Sequence, residues 1–163
     1  MILDNVKLRL FIVFGLLMLT PVFAKDATPE HIQCAYEIIQ SVKPEIEQEF
    51  QLHCNGSGGS FPLQVFYINL SFVAERRATV DEARELVVRC TQKVIHAINA
   101  HERIRPHLVH DPLSPQGVEV SISFHGINGC YADGTVSHVF HSGTHVCFSN
   151  EDPLHPVRGS FLR

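Results

Sequence analysis

Residues 79–101 read TVDEARELVVRCTQKVIHAINAH. Thr79 followed by Glu82 is a capping box, in which each residue's side chain satisfies the other's backbone N–H at a helix start. Val80, Ala83, Val87, Cys90, Val94, Ala97 and His101 then recur at three- and four-residue steps, and Leu86 and Ile98 widen the stripe. This spacing predicts an amphipathic helix. It runs to about Arg103, where Arg105-Pro106 stops it. Strand signals flank it. Before it, 63–73 is dense in Val65, Phe66, Tyr67, Ile68, Leu70, Phe72 and Val73, all residues that suit a pleated surface. After it comes a proline-rich loop over 106–117. Then Val118, Val120, Ile122 and Phe124 alternate with Glu119, Ser121 and Ser123, the period of a half-buried strand.

Towards the N-terminus, Thr28 can cap a helix with Pro29 at its first position. Ile32, Tyr36 and Ile39, with Ala35 and Val42 near the same stripe, predict a helix over 29–41 that Pro44 ends. Ile46, Gln48, Phe50, Leu52 and Cys54 alternate with Glu45, Glu47, Glu49, Gln51 and His53, which predicts a strand with a wet glutamate face. Asn55-Gly-Ser-Gly-Gly-Ser60 reads as a flexible turn, making 46–73 a hairpin. Towards the C-terminus, 127–132 can extend the strand after a bend at Gly126, and Asp133-Gly134 is a hairpin signal. Strands at 135–141 and 144–149 follow, joined by Ser142-Gly143. The order is α-β-β-α-β-β-β. It predicts an α+β fold, an antiparallel sheet of about five strands with two helices on one face.

The segment 1–24 has the layout of a secretory signal peptide: Lys7 and Arg9, an apolar run from Leu10 to Leu19, and Val22 and Ala24 before the cleavage point. The apolar run is shorter than the roughly 20 residues a spanning helix needs. The expected organisation is a signal peptide at 1–24, one domain at 25–150 and a loose, proline-containing tail at 151–163. Without Lys7, Arg9 and Asp4, the 13 basic and 17 acidic residues fall to eleven and sixteen. A net charge of that sign offers no electrostatic footprint for nucleic acid. All 11 histidines lie beyond the leader. The location expected is secreted or periplasmic, where the five cysteines would meet an oxidising compartment and form disulfides. Cys34 and Cys90, on the two helical stripes, are the pair that side-by-side helices favour.

Ala83-Arg-Glu-Leu86, Ile98-Asn-Ala-His-Glu-Arg-Ile-Arg-Pro-His-Leu108 and Val118-Glu-Val-Ser-Ile-Ser-Phe124 together resemble small secreted bacterial proteins of uncharacterised function. The resemblance covers about a quarter of the chain. It implies bacterial export and carries over no catalytic residue.

One stretch concentrates chemistry. His138-Val-Phe-His-Ser-Gly-Thr-His-Val-Cys-Phe148 holds three histidines and a cysteine. With Ser142-Gly143 as a two-residue turn, Phe140 pairs with His145 and His138 with Cys147. One face then collects His138, Phe140, His145 and Cys147. Imidazole and thiolate together suit zinc or copper. His107 and His110, in the proline-rich loop, are candidates to join that set. A structural hairpin with exposed histidines is the competing reading. A nucleophilic Cys130 or Cys147 beside a histidine would give a thiol-dependent enzyme. No glycine-rich phosphate loop is present. The leading expectation is a secreted, non-enzymatic domain that binds a protein partner and needs no cofactor. A His/Cys metal protein and a thiol enzyme follow in that order.

Overall fold

The computed structural model describes residues 28–126 and 135–150. The expected signal peptide, the expected strand at 127–132 with Cys130, the Asp133-Gly134 turn and the expected tail lie outside these residues. Two helices and five strands follow in the expected order. They are α1 (Glu30–Phe50), β1 (His53–Ser60), β2 (Tyr67–Ala74), α2 (Val80–Ala100), β3 (Val118–Phe124), β4 (His138–Ser142) and β5 (His145–Ser149). Both helices pack over the sheet, so the class is α+β.

Helix α1 corrects the sequence reading. It does not stop before Pro44 but continues through it to Phe50, absorbing the first half of the expected strand. The buried stripe of Cys34, Ala35, Ile38, Ile39, Val42, Ile46 and Phe50 explains why. Val42, Ile46 and Phe50 recur at four-residue steps, one face of a helix, whereas the alternation would put Gln48 inside as well. Pro44 and Gln40 are both exposed, so the Gln40 carbonyl that the proline cannot bond faces water. Tyr36, expected on the buried stripe, is instead 46% exposed. Gln51 ends the helix in the left-handed region (φ 55), and Leu52 N–H donates back to the Glu47 carbonyl at 3.2 Å. This is a Schellman closure, and it turns Leu52 into the core at 1% exposure.

The glycine-rich segment is the second correction. Gly56–Ser60 is not a turn but most of β1, pairing antiparallel with β2 from Gly56 opposite Ser71 to Ser60 opposite Tyr67. Asn55 is the extra residue of a bulge between Cys54 and Gly56. Ordinary strand propensity disfavours this composition; β2 supplies the template. Glycine is required at one place, because a Cβ on Gly59 would collide with the Phe61 ring and the Tyr67 carbonyl. The true turn is the loop over 61–66, most of which the sequence reading assigns to the next strand.

The capping box forms as expected. Glu82 N–H donates to Thr79 Oγ1 at 3.3 Å, and Thr79 N–H donates to the Glu82 carboxylate at 2.8 Å. Helix α2 crosses from the end of β2 to the start of β3. Such a crossover makes two adjacent strands parallel, and β2 and β3 are parallel from Ile68 opposite Val118 to Ala74 opposite Phe124. The sheet is therefore mixed, not wholly antiparallel, in the order β1-β2-β3-β4-β5. Its helix-side face is apolar: Ile68, Leu70, Phe72, Val118, Val120, Ile122, Phe124 and Val139 are all buried.

Ion pairs set the sense of the helix pair. Glu49 meets Arg89 and Lys93, Glu45 meets Lys93, and Glu37 meets Arg103. The helices are thus antiparallel. Cys34 lies at one end of α1 and Cys90 is level with the other, ~20 Å along the axis at about 1.5 Å per residue. No disulfide can join them, and Cys34, Cys54, Cys90 and Cys147 are all free thiols.

Candidate functional site

The β4–β5 hairpin turns one residue later than the expected register. Ser142 pairs with His145, so Gly143 and Thr144 form the turn. Gly143 has φ +64. A two-residue loop with a positive φ at its first central residue favours glycine there; Ser142 has no such freedom. The shift moves every rung. His138 stands opposite Ser149, Phe140 opposite Cys147, and His141 opposite Val146.

His138, His145 and Cys147 still share the sheet face away from the helices, but on three separate rungs. His138 Nδ1 is 3.1 Å from Ser123 Oγ, and His145 Nδ1 is 3.3 Å from Thr144 Oγ1. His107 closes a short 3-10 turn and His110 is exposed. Their segment pairs with Val65, just before β2, through an isolated bridge at Leu108. Strands β2 and β5 are three spacings apart, ~14 Å, so these histidines do not join the hairpin. Among the described residues, no three His, Cys, Asp or Glu side chains converge enough to hold a metal ion.

Neither Cys90 nor Cys54 is primed for chemistry. Burial pushes the Cys90 thiol up to about 12. Burial also raises Cys54, against the weaker opposing pull of its bond to the Gly56 carbonyl. The described surface depressions lie between the helices, lined by Glu49, Phe50 and Arg89. The Glu49–Lys93 ion pair, which holds the Glu49 carboxyl below its ordinary value, closes much of that groove with charge.

A different feature stands out at the β1–β2 connection. Leu63 is 84% exposed, Phe66 51% and Tyr67 42%. Tyr36 reaches the same place from α1, its ring edge-on to Phe61 at 6.1 Å. The loop is held from two sides. His31 Nε2 is 3.0 Å from the Phe61 carbonyl and so carries the proton that bonds it. Val65 N–H donates to the His107 carbonyl at 2.8 Å, and Val109 N–H to the Val65 carbonyl at 3.2 Å. Phe66 N–H donates to the Ser60 carbonyl at 3.0 Å. His31 is 9% exposed, and its ring lies 5.8 Å from that of His107. These bonds fix an apolar tip outward while Val65 turns into the core.

Comparison with protein-family models, curated proteins and solved structures returns no match to this chain. The reading of function therefore rests on the chain's own geometry.

Missing from the sequence reading are the tip and the role of His31. Leu63 and Phe66 are absorbed there into a strand, because aromatic and apolar residues suit one; Tyr67 does open β2. No local signal separates them, because Pro62 precedes the expected strand and leaves 63–66 unmarked. No described helix is long and apolar enough to cross a membrane.

Proposed function

We propose that this protein is an exported bacterial domain that binds a protein partner through the apolar tip between β1 and β2. The observation that carries this reading is Leu63, 84% exposed on a loop pinned by hydrogen bonds to α1 and to the segment after α2. Scattered exposed apolar residues are ordinary. Here Phe61, Leu63, Phe66 and Tyr67 lie together in one connection, and Tyr36 packs on Phe61 from α1. Aromatic side chains held in place lose little entropy when a partner covers them, which is the property of interface anchors. Export is supported by the leader-like segment 1–24. The experiment is site-specific photocrosslinking in the producing cell, with the reactive group at position 63 or at Glu85 on the exposed side of α2. The expected result is a discrete adduct from 63, absent from 85. Equal adducts from both positions, or none from 63, would sink the proposal.

A zinc or copper centre is the second reading, and the shared face of His138, His145 and Cys147 is what favours it. It requires His138 to leave Ser123. Zinc retained after desalting by the wild type, and lost on His145→Ala, would support it.

A further inference from the structure

We infer that two copies of this chain pair through the outer edge of β1, joining their sheets into one continuous sheet. Beyond the tip proposed above, this edge is a separate surface. β1 is terminal in the sheet. Among the described residues, no strand lies on its outer side. Proteins guard such edges with charge, proline, bulges or brevity, because the free N–H and C=O groups invite pairing. His53–Ser60 contains no Lys, Arg, Asp, Glu or Pro. The bulge at Asn55 guards its start, which leaves Gly56-Ser-Gly-Gly-Ser60 open. That segment is uncharged and has no side chain larger than serine.

These properties fit a second copy. A twofold axis perpendicular to the sheet opposes β1 to itself, antiparallel, and keeps all helices on one face. The pairing must then be self-complementary, and an uncharged segment brings no like charges together. The flank of α1 beside the edge agrees. Tyr36 packs on Phe61, and Glu47 accepts the Cys54 N–H at 2.7 Å. So α1 runs along β1 in the opposite sense, with Gln40 and Lys43 beside its middle. The flank from Gln33 to Glu47 carries one Lys against one Glu on its outward stripe, with no excess charge to repel a copy. This strip runs ~21 Å along α1.

The test is sedimentation velocity of the purified protein across a wide concentration range, with three variants. Ser57→Lys puts a cation on each copy at the edge; Ser57 is exposed, so the fold tolerates it. Gly56→Asp does the same with the opposite sign, and its Cβ would meet only Ser71 at ordinary distances of 3.7 and 4.0 Å. Leu63→Asp alters the tip alone. The expected result is a dimer whose dissociation constant rises at least about tenfold in both edge variants, since like charges face each other across the axis, and is unchanged in Leu63→Asp. A monomer at every concentration overturns the inference, as does a dimer indifferent to both edge variants. Circular dichroism confirms that each variant is folded. Crosslinking from position 63 is read separately, so losing the dimer leaves the tip proposal standing.

Discussion

Replacing Pro44 with alanine is expected to stabilise this protein by about 2 kcal/mol, the interior-proline penalty less its effect on the unfolded chain. Pro44 sits inside α1, on the exposed side and ahead of the buried Ile46 and Phe50. A proline in a helix interior costs about 3 kcal/mol relative to alanine, through the lost hydrogen bond and the ring's clash with the preceding turn. Part of this is offset. Proline also restricts the unfolded chain, and removing it gives back about 0.4–1 kcal/mol. The remainder corresponds to a rise in Tm of roughly 5–10 °C for a domain of this size. Urea unfolding followed by far-ultraviolet circular dichroism measures it, with the slope unchanged if only the native helix is affected. An unchanged or lower midpoint would refute the reasoning. It would mean that α1 needs the local geometry Pro44 imposes, and that Ile46 and Phe50 lose contacts without it.

The capping box yields a pH prediction. Hydrogen bonds from the Thr79 backbone and hydroxyl hold the Glu82 carboxyl below its ordinary value, and Lys93 does the same for Glu49. A lowered folded value means stability present above the ordinary glutamate range and lost as pH falls through the folded one. The urea midpoint should therefore drop in acid, and Glu82→Gln should flatten that drop; an identical profile refutes it. Thr79→Ala should cost about 1 kcal/mol at neutral pH. Alkylation of the native protein should modify Cys54 and Cys147, whereas Cys34 and Cys90, both 0% exposed, react only after unfolding; mass mapping of the adducts decides. Gly59→Ala should lower the Tm by several degrees and speed hydrogen exchange over 61–66, while Gly56→Ala should do neither, because only the first places a Cβ against Phe61 and the Tyr67 carbonyl.

Helix α2 and strand β3 are legible in the sequence because local signals agree there: a capping box, one apolar stripe and one clean alternation. The end of α1 is not, because Ile46 and Phe50 satisfy a helix while Ile46, Gln48, Phe50 and Leu52 also satisfy a strand. Burial against the sheet decides between them, and that is not a local property. β1 is illegible for the opposite reason. Its glycines and serines prefer no structure, and they become a strand because β2 lies beside them. The parallel pairing of β2 and β3 follows from a helix lying between two strands, a cue outweighed by the runs of adjacent strands elsewhere. At the candidate sites, the shared face of His138, His145 and Cys147 is readable from alternation, but their rungs depend on whether Ser142 or Gly143 opens the turn. The tip is set by the His31 ring and the His107 backbone, both distant in sequence from the Phe61 and Val65 they hold. No periodicity reports such bonds.

The parallel contact at the centre of the sheet has a consequence for how the chain comes together. β1 and β2 can zip locally, as can β4 and β5, but β2 meets β3 only after the whole of 75–117 has been made and α2 has formed. At about 5–20 residues per second of synthesis, that interval is roughly 2–9 s. Throughout it, the β2 side of the nascent β1–β2 ribbon is an open edge, which β3 later closes. Loop closure over this span is the slow, non-local step. The vulnerable species is therefore a half-built sheet, and a chaperone that recognises it would see the open edge of β2 before β3 closes it.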